Sequence, residues 1–171
     1  MHAFQMEIAF LGYGHVVGAL ADRLQRLGHR VTLAAADAQS ARVREVLVRS
    51  PLLGVSTPRE AVERADVIFL ATPFSANEAV LRPLSGELRG KILVDCTNPI
   101  GPGLTHALEG RQSGTERIQA LLPETRVVKA FSIYGYENFE NPSYPGYNVR
   151  PMMMFCGNDA PAKRTVEGLL D

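Results

Sequence analysis

The strongest chemical signal in the chain is the segment Gly12-Tyr13-Gly14-His15-Val16-Val17-Gly18. It falls between a short apolar run, Glu7–Leu11, and a stretch whose apolar residues recur at helical spacing. Where a strand turns into a helix, Gly12 permits the tight bend and Gly14 lets backbone come close to a ligand. The unpaired N–H groups at the helix start then hold an anion, as in dinucleotide-binding turns. The spacing departs from that pattern at one place. Val17 occupies the third glycine position and Gly18 lies one residue out of phase. Val17 either pushes the helix away from the sheet or is absorbed by small neighbours. His15, at the positive end of the helix, is read as a neutral ring donating to a phosphate oxygen or as a solvent-facing residue.

The end of the second strand should separate NAD from NADP, because an acidic residue there binds the ribose 2′-hydroxyl and an arginine the 2′-phosphate. The chain has Ala34-Ala35-Ala36-Asp37 at that point. Asp37 comes late for a ribose ligand and is expected to cap the next helix. Arg42 and Arg44 lie a turn further on, within reach of a phosphate or on a solvated helix face. Two more turns, Thr72-Pro73-Phe74 and Thr97-Asn98-Pro99, close apolar runs. They fall at the carboxyl ends of expected parallel strands, where open α/β sheets bind ligands. No serine or cysteine nucleophile stands beside a histidine, and no carboxylate pair suggests hydrolysis. Hydride transfer between two bound cofactors needs positioning above all, and suits that silence. The four His have no metal-ligand spacing. Cys96 and Cys156 each end an apolar run and are expected to be core thiols.

The elements that must hold these turns alternate strand and helix. Strands are expected at Glu7–Leu11, Arg30–Ala34, Val67–Ala71, Ile92–Cys96, Arg126–Phe131 and Met152–Cys156. Val16, Val17, Leu20, Leu24 and Leu27 form one face of a helix from His15, stopped by Gly28. A helix over about 40–48 follows. Thr57-Pro58-Arg59-Glu60 spells a capping box with proline at the first helical position. Ser75-Ala76-Asn77-Glu78 and Ser113-Gly114-Thr115-Glu116 are expected to repeat the box, and Asn158-Asp159 to cap a last helix. Such alternation builds right-handed βαβ units. The expected fold is α/β, a Rossmann-type, doubly wound, mostly parallel sheet in a three-layer αβα arrangement. Two long irregular stretches, Pro99–Gly110 and Ser132–Arg150, stand out. The second holds four of the five tyrosines and is read as a substrate lip or a partner surface.

The 171 residues make one domain, 1–171, 46% hydrophobic and 21% charged. Lys+Arg and Asp+Glu balance at 18 each, so no basic excess points to nucleic acid. No apolar run approaches the roughly 18 residues of a membrane span. The N-terminus reads as a first strand and not as a leader. A soluble, cytoplasmic protein acting on a small molecule is expected, without nucleic-acid or membrane partners.

With these residues in place, the chain resembles the NADP oxidoreductases that use the deazaflavin coenzyme F-420, and also the nucleotide domain of transmembrane metalloreductases. The resemblance rests on Gly12–Ala21, Leu27-Gly28-His29 and Ala65-Asp66-Val67 through Thr72-Pro73-Phe74. It continues in Gly90-Lys91 through Asp95-Cys96-Thr97-Asn98-Pro99, Leu122-Pro123, Val127-Val128-Lys129-Ala130-Phe131 and Cys156-Gly157-Asn158-Asp159. It implies a nicotinamide dinucleotide over the carboxyl edge of the sheet, with pyrophosphate at Tyr13, Gly14, His15 and Val16. The nicotinamide would lie near Thr72, Pro73, Phe74, Asn98 and Ala130, with Pro99 alongside. Ala35 and Ala36 stand where the family carries a Ser-Arg pair for the 2′-phosphate. His15 replaces Asn, Val17 replaces Gly, and Ser132 replaces Asn. Relatives continue past position 171 with a strand and helices that help form a deazaflavin pocket and a homodimer. The implied cofactor is NADP (or NAD), with coenzyme F-420 as second substrate. The implied function is hydride transfer between them. Two alternatives stand beside it: a reductase of another acceptor (flavin, ferric chelate or small imine), and a non-catalytic nucleotide-binding or sensing module.

Overall fold

The structure, a computed structural model, describes residues 5–170 apart from 142, 148 and 150. Seven strands form one sheet: β1 (Glu7–Leu11), β2 (Arg30–Ala34), β3 (Gly54–Ser56), β4 (Val67–Leu70), β5 (Ile92–Asp95), β6 (Arg126–Lys129) and β7 (Cys156–Gly157). Their order is β3-β2-β1-β4-β5-β6-β7, and every pairing is parallel except β6 with β7. The chain winds outward from β1 in one direction to β3, then returns to β4 on the other side. β1 and β4 therefore flank the point where strand order reverses, the place where open α/β sheets open a crevice.

The helices are α1 (His15–Arg26), α2 (Ala41–Arg49), α3 (Pro58–Arg64), α4 (Asn77–Leu81), α5 (Gly114–Leu121), α6 (Glu137–Glu140) and α7 (Ala160–Glu167). Side chains alternate across each strand and so feed two separate cores. Ile8, Phe10, Val67, Phe69, Val94 and Val128 join Val17, Leu20, Leu24, Val43 and Val166 on one face. Ala9, Leu11, Ile68, Leu70, Leu93 and Val127 join Ala61, Val62, Leu81 and Ile118 on the other. The expected three-layer α/β sandwich is thus what forms. Phe10 and Phe69 stack on adjacent strands, with ring centroids 4.8 Å apart, and tie β1 to β4 at the reversal point.

Local signals held at Thr57 and Ser113, whose side chains and those of Glu60 and Glu116 make reciprocal capping boxes. Asp159 caps α7 through Ala162 N–H. Several expectations are corrected. Ser75 caps nothing: Phe74–Ala76 form a 3-10 turn, and α4 starts at Asn77 without a side-chain cap. Asp37 accepts from Gln39 N–H within its own turn, and Ser40 caps α2 by accepting from Val43. The strand expected over Met152–Cys156 pairs only at Cys156–Gly157, and Cys156 is exposed there, not a core thiol. β3 and α6 form where the sequence pattern predicts no element. Positions 142, 148 and 150 of the Tyr-rich stretch, and Asp171 at the end of the chain, lie outside the described residues.

Candidate functional site

Gly12 sits at φ +110°, and a Cβ there would lie 2.5 Å from the carbonyl oxygen of Ala71. The turn after β1 is therefore pressed against the peptide that ends β4, and glycine is demanded by the fold itself. Gly14 is different. It has an ordinary extended φ of −86°, and a Cβ there would meet nothing within 4 Å. Nothing among the described residues requires it to be glycine, so the open space beside it is available to a ligand.

Gly14 is the N-cap of α1 and supplies no capping side chain, and the first turn of α1 carries no acidic residue. Among the described residues, the amides of Tyr13, Gly14, His15 and Val16 have no backbone acceptor. A helix start with orphan N–H groups and an uncompensated macrodipole is an anion site by construction. Val17 does not obstruct it: the residue is fully buried in the core and does not line the groove. Its bulk is absorbed inside the fold, and the small residues Gly18 and Ala19 line the groove beside the turn.

A groove of about 550 Å³ runs from this turn along the seam of α1 and α2, lined at its head by Tyr13, Gly14, His15 and Gly18 and on its α2 wall by Arg42. His15 stacks on Tyr136, centroids 4.7 Å apart, so the Tyr-rich segment folds back over the mouth. Ala35 is buried and its N–H is bound to Ser56 O, while Ala36 is exposed; neither offers a polar side chain. Arg44 points elsewhere, donating to Gln39. Of the two arginines singled out, Arg42 is the one that shares a groove with the glycine turn.

Across the reversal point lie the two other turns. Phe74 and Pro99 both pack on Gly114 at the start of α5, where a Cβ would come within 2.8 Å of the Phe74 ring. That single glycine holds the Thr72-Pro73-Phe74 and Thr97-Asn98-Pro99 turns side by side. Asn98 donates from Nδ2 to Ser132 O at 3.0 Å, joining them to the segment after β6. Phe131 reaches that segment at φ +54°, an uncommon conformation for an aromatic residue, held by packing on Phe69 and Phe139. Ala130 is fully buried, its N–H on Asp95 O.

Beneath these turns is a polar network that the sequence does not announce. Asp95 is fully buried at the end of β5. Its Oδ1 accepts from Thr97 N–H (2.9 Å) and Thr97 Oγ1 (2.7 Å), and its Oδ2 from Thr115 Oγ1 (2.7 Å) and Lys129 Nζ (3.5 Å). Lys129 also donates to Thr97 O. The buried Asn77 donates to Thr97 Oγ1 (3.0 Å), and Thr72 Oγ1 donates to Asn77 Oδ1 (2.8 Å). Buried polar groups of this kind rigidify a site when all are satisfied. Burial, with the Asp95 charge beside it, pushes the Cys96 thiol far above its ordinary range, which rules it out as a thiolate nucleophile. Among the described residues no group of three or more His, Cys, Asp or Glu is placed to hold a metal ion. No described helix is long and apolar enough to cross a membrane.

The site thus combines an anion-binding helix start with two strand-end turns on the opposite side of the reversal point, the arrangement that suits a dinucleotide laid across the sheet edge. The chain is 31% identical over 160 residues to rat metalloreductase STEAP3, covering 94% of this chain and 30% of the relative. It is 30% identical over 126 residues to the F420-dependent NADP reductase of Methanocaldococcus jannaschii, and 33% over 141 residues to that of Methanothermobacter marburgensis. Those matches cover 70% and 74% of this chain, and 54% and 63% of the relatives. The chain therefore spans between about a third and two thirds of the length of these curated relatives. A solved structure from Arthrobacter sp. FB24, assigned as an F420-dependent NADP-reductase, superposes with a TM-score of 0.84 at 30% identity, over 96% of this chain and 79% of its own. The sequence profile of the NADP oxidoreductase, coenzyme F420-dependent, family matches residues 7–99, and the chain belongs to that family of oxidoreductases.

Proposed function

We propose that this chain binds NADP across the carboxyl edge of the sheet and exchanges a hydride between it and a deazaflavin-type coenzyme. The observation that carries the proposal is the glycine turn: four successive amides without backbone acceptors, at an uncapped helix start, beside a glycine whose open side faces the groove. Bound NADP supplies the hydride chemistry. The protein's part is to neutralise the pyrophosphate at residues 13–16, fix the nicotinamide against the Thr72 and Asn98 turns, and leave one ring face open to the acceptor. The hollow beside Phe74, lined by Ile100, Leu108 and Leu121, supports an acceptor ring on that side.

The test is a titration with NADPH and NADH, followed by the cofactor's own fluorescence because the chain has no Trp. Turnover assays with a deazaflavin, a flavin and a ferric chelate come next. Micromolar NADPH binding with hydride transfer to the deazaflavin is expected. Failure of both nucleotides to bind at millimolar concentration rejects the proposal. A second reading, the same nucleotide site serving another acceptor, has support in the metalloreductase relative matched over 94% of the chain. Faster reduction of the flavin or ferric chelate than of the deazaflavin would establish it instead.

A further inference from the structure

The polar chain running from Asp95 to Thr72 has a fixed direction, and that direction determines what the site can recognise. Asp95 is the anchor. As a carboxylate paired with Lys129 it can only accept, and it accepts the Thr97 hydroxyl proton at 2.7 Å. With its proton spent, Thr97 Oγ1 must accept from Asn77, which orients the Asn77 amide with Nδ2 toward Thr97, 3.0 Å away. Asn77 Oδ1 is then left facing Thr72, and the Thr72 hydroxyl must donate to it, at 2.8 Å. Asn77 is 5% exposed and Asp95 is 0% exposed, so water has little access through which to reverse the order.

We infer that the Thr72 hydroxyl presents only oxygen lone pairs at the mouth of the site, and that it selects the amide N–H of the nicotinamide carboxamide. Asn77 and Asp95 act as positioning residues that lock its hydroxyl. The inference rests on the proposed nicotinamide dinucleotide lying over this edge, and adds to it the atom that reads the ring substituent. A dinucleotide whose ring carries an acetyl group in place of the carboxamide puts a methyl where the N–H stood and leaves the Thr72 lone pair without a donor. A half-buried acceptor left without its donor forfeits about the worth of one hydrogen bond.

The experiment measures calorimetric dissociation constants for NADP and for its 3-acetylpyridine analogue with the native protein, Thr72→Val, Thr72→Ser and Asn77→Ala. Native protein should favour NADP over the analogue by about three- to tenfold, the worth of one hydrogen bond. Thr72→Val should abolish that preference by weakening NADP alone, Thr72→Ser should keep it, and Asn77→Ala should reduce it by freeing the hydroxyl to rotate. Thr72→Val lies at the half-buried mouth and keeps the side-chain volume, so it remains decisive if Asn77→Ala does not fold. Equal weakening of both nucleotides by Thr72→Val, or an unchanged preference, overturns the inference while leaving the proposed function intact. Absence of binding by either nucleotide to the native protein overturns both.

Discussion

Gly12 and Gly14 stand two residues apart in one turn, yet the structure predicts opposite phenotypes for replacing each by alanine. At Gly12 an alanine would have to hold φ near +110° and keep its Cβ clear of the Ala71 carbonyl, 2.5 Å away. Left-handed backbone costs an L-residue about 1–2 kcal/mol. Displacing packed backbone adds roughly 1–3 kcal/mol, for a sum of about 2–5 kcal/mol. For a chain of this size each kcal/mol moves Tm by about 2–4 °C, so Gly12→Ala should melt roughly 4–20 °C lower. At Gly14 the backbone is ordinary and the space is empty. Alanine caps a helix less well than glycine by about half a kcal/mol, and restricts the unfolded chain by a similar amount. The two effects offset, and Tm should stay within about 3 °C. Binding should show the reverse ranking. The new methyl occupies the space through which a diphosphate approaches the amides. Loss of one charge-assisted bond, at about 1.5–3 kcal/mol, weakens NADPH by about 10- to 150-fold. Differential scanning calorimetry and NADPH fluorescence titration on both variants decide the matter. A Gly14→Ala protein that binds NADPH within twofold of the native affinity would refute the assignment of this turn.

Arg42→Ala should weaken NADPH about tenfold or more and leave NADH nearly unchanged, because Arg42, one of four arginines lining the groove that opens at the glycine turn, is the one at the start of α2. Parallel titrations of the two nucleotides check this, and equal effects on both would exclude Arg42 from the 2′-phosphate. Ser113→Ala should cost about 1 kcal/mol through loss of a capping box, whereas Ser75→Ala should stay within about 0.5 kcal/mol because Ser75 caps nothing. Urea midpoints of the two variants read the difference. Burial holds His29 below its ordinary value of 6.5, and its Nδ1 accepts Met6 N–H at 3.2 Å, so the fold needs the neutral ring. The unfolded chain takes up this proton first as pH falls. The His29 contribution is therefore full above about pH 6.5 and shrinks below it. Urea midpoints at pH 7.5 and 5.5 should fall more steeply for the native protein than for His29→Leu.

The strands that position the site were legible because buried parallel strands are apolar on both faces, as in Val67–Leu70. The glycine turn was legible because its chemistry is local. β3 was not: Gly54-Val55-Ser56 is a three-residue edge strand with one apolar side chain. The run Met152–Cys156 reads as a buried strand, yet exposure alternates along it, Met152, Met154 and Cys156 outward. That is the pattern of an edge segment covered on one face only. Ser75 has the letters of a capping box, but seating the Phe74 ring on Gly114 goes with a 3-10 turn there, and that tertiary contact overrides the local preference. The network of Thr72, Asn77, Thr97, Asp95, Thr115 and Lys129 is not legible in the sequence as a unit. Its longer links join residues 20 and 34 positions apart, and only sheet order β4-β5-β6 makes them neighbours.

The contact between Gly12 and the Ala71–Thr72 peptide joins two turns that come from strands far apart in sequence. Neither can shift without pushing the other, so the ends of the cleft behave as one rigid jaw cast during folding. A ligand arriving there finds both grips already set and spends little of its affinity on organising them. Loosening that joint should therefore slow catalysis at a distance, even when every group that touches the ligand is left in place.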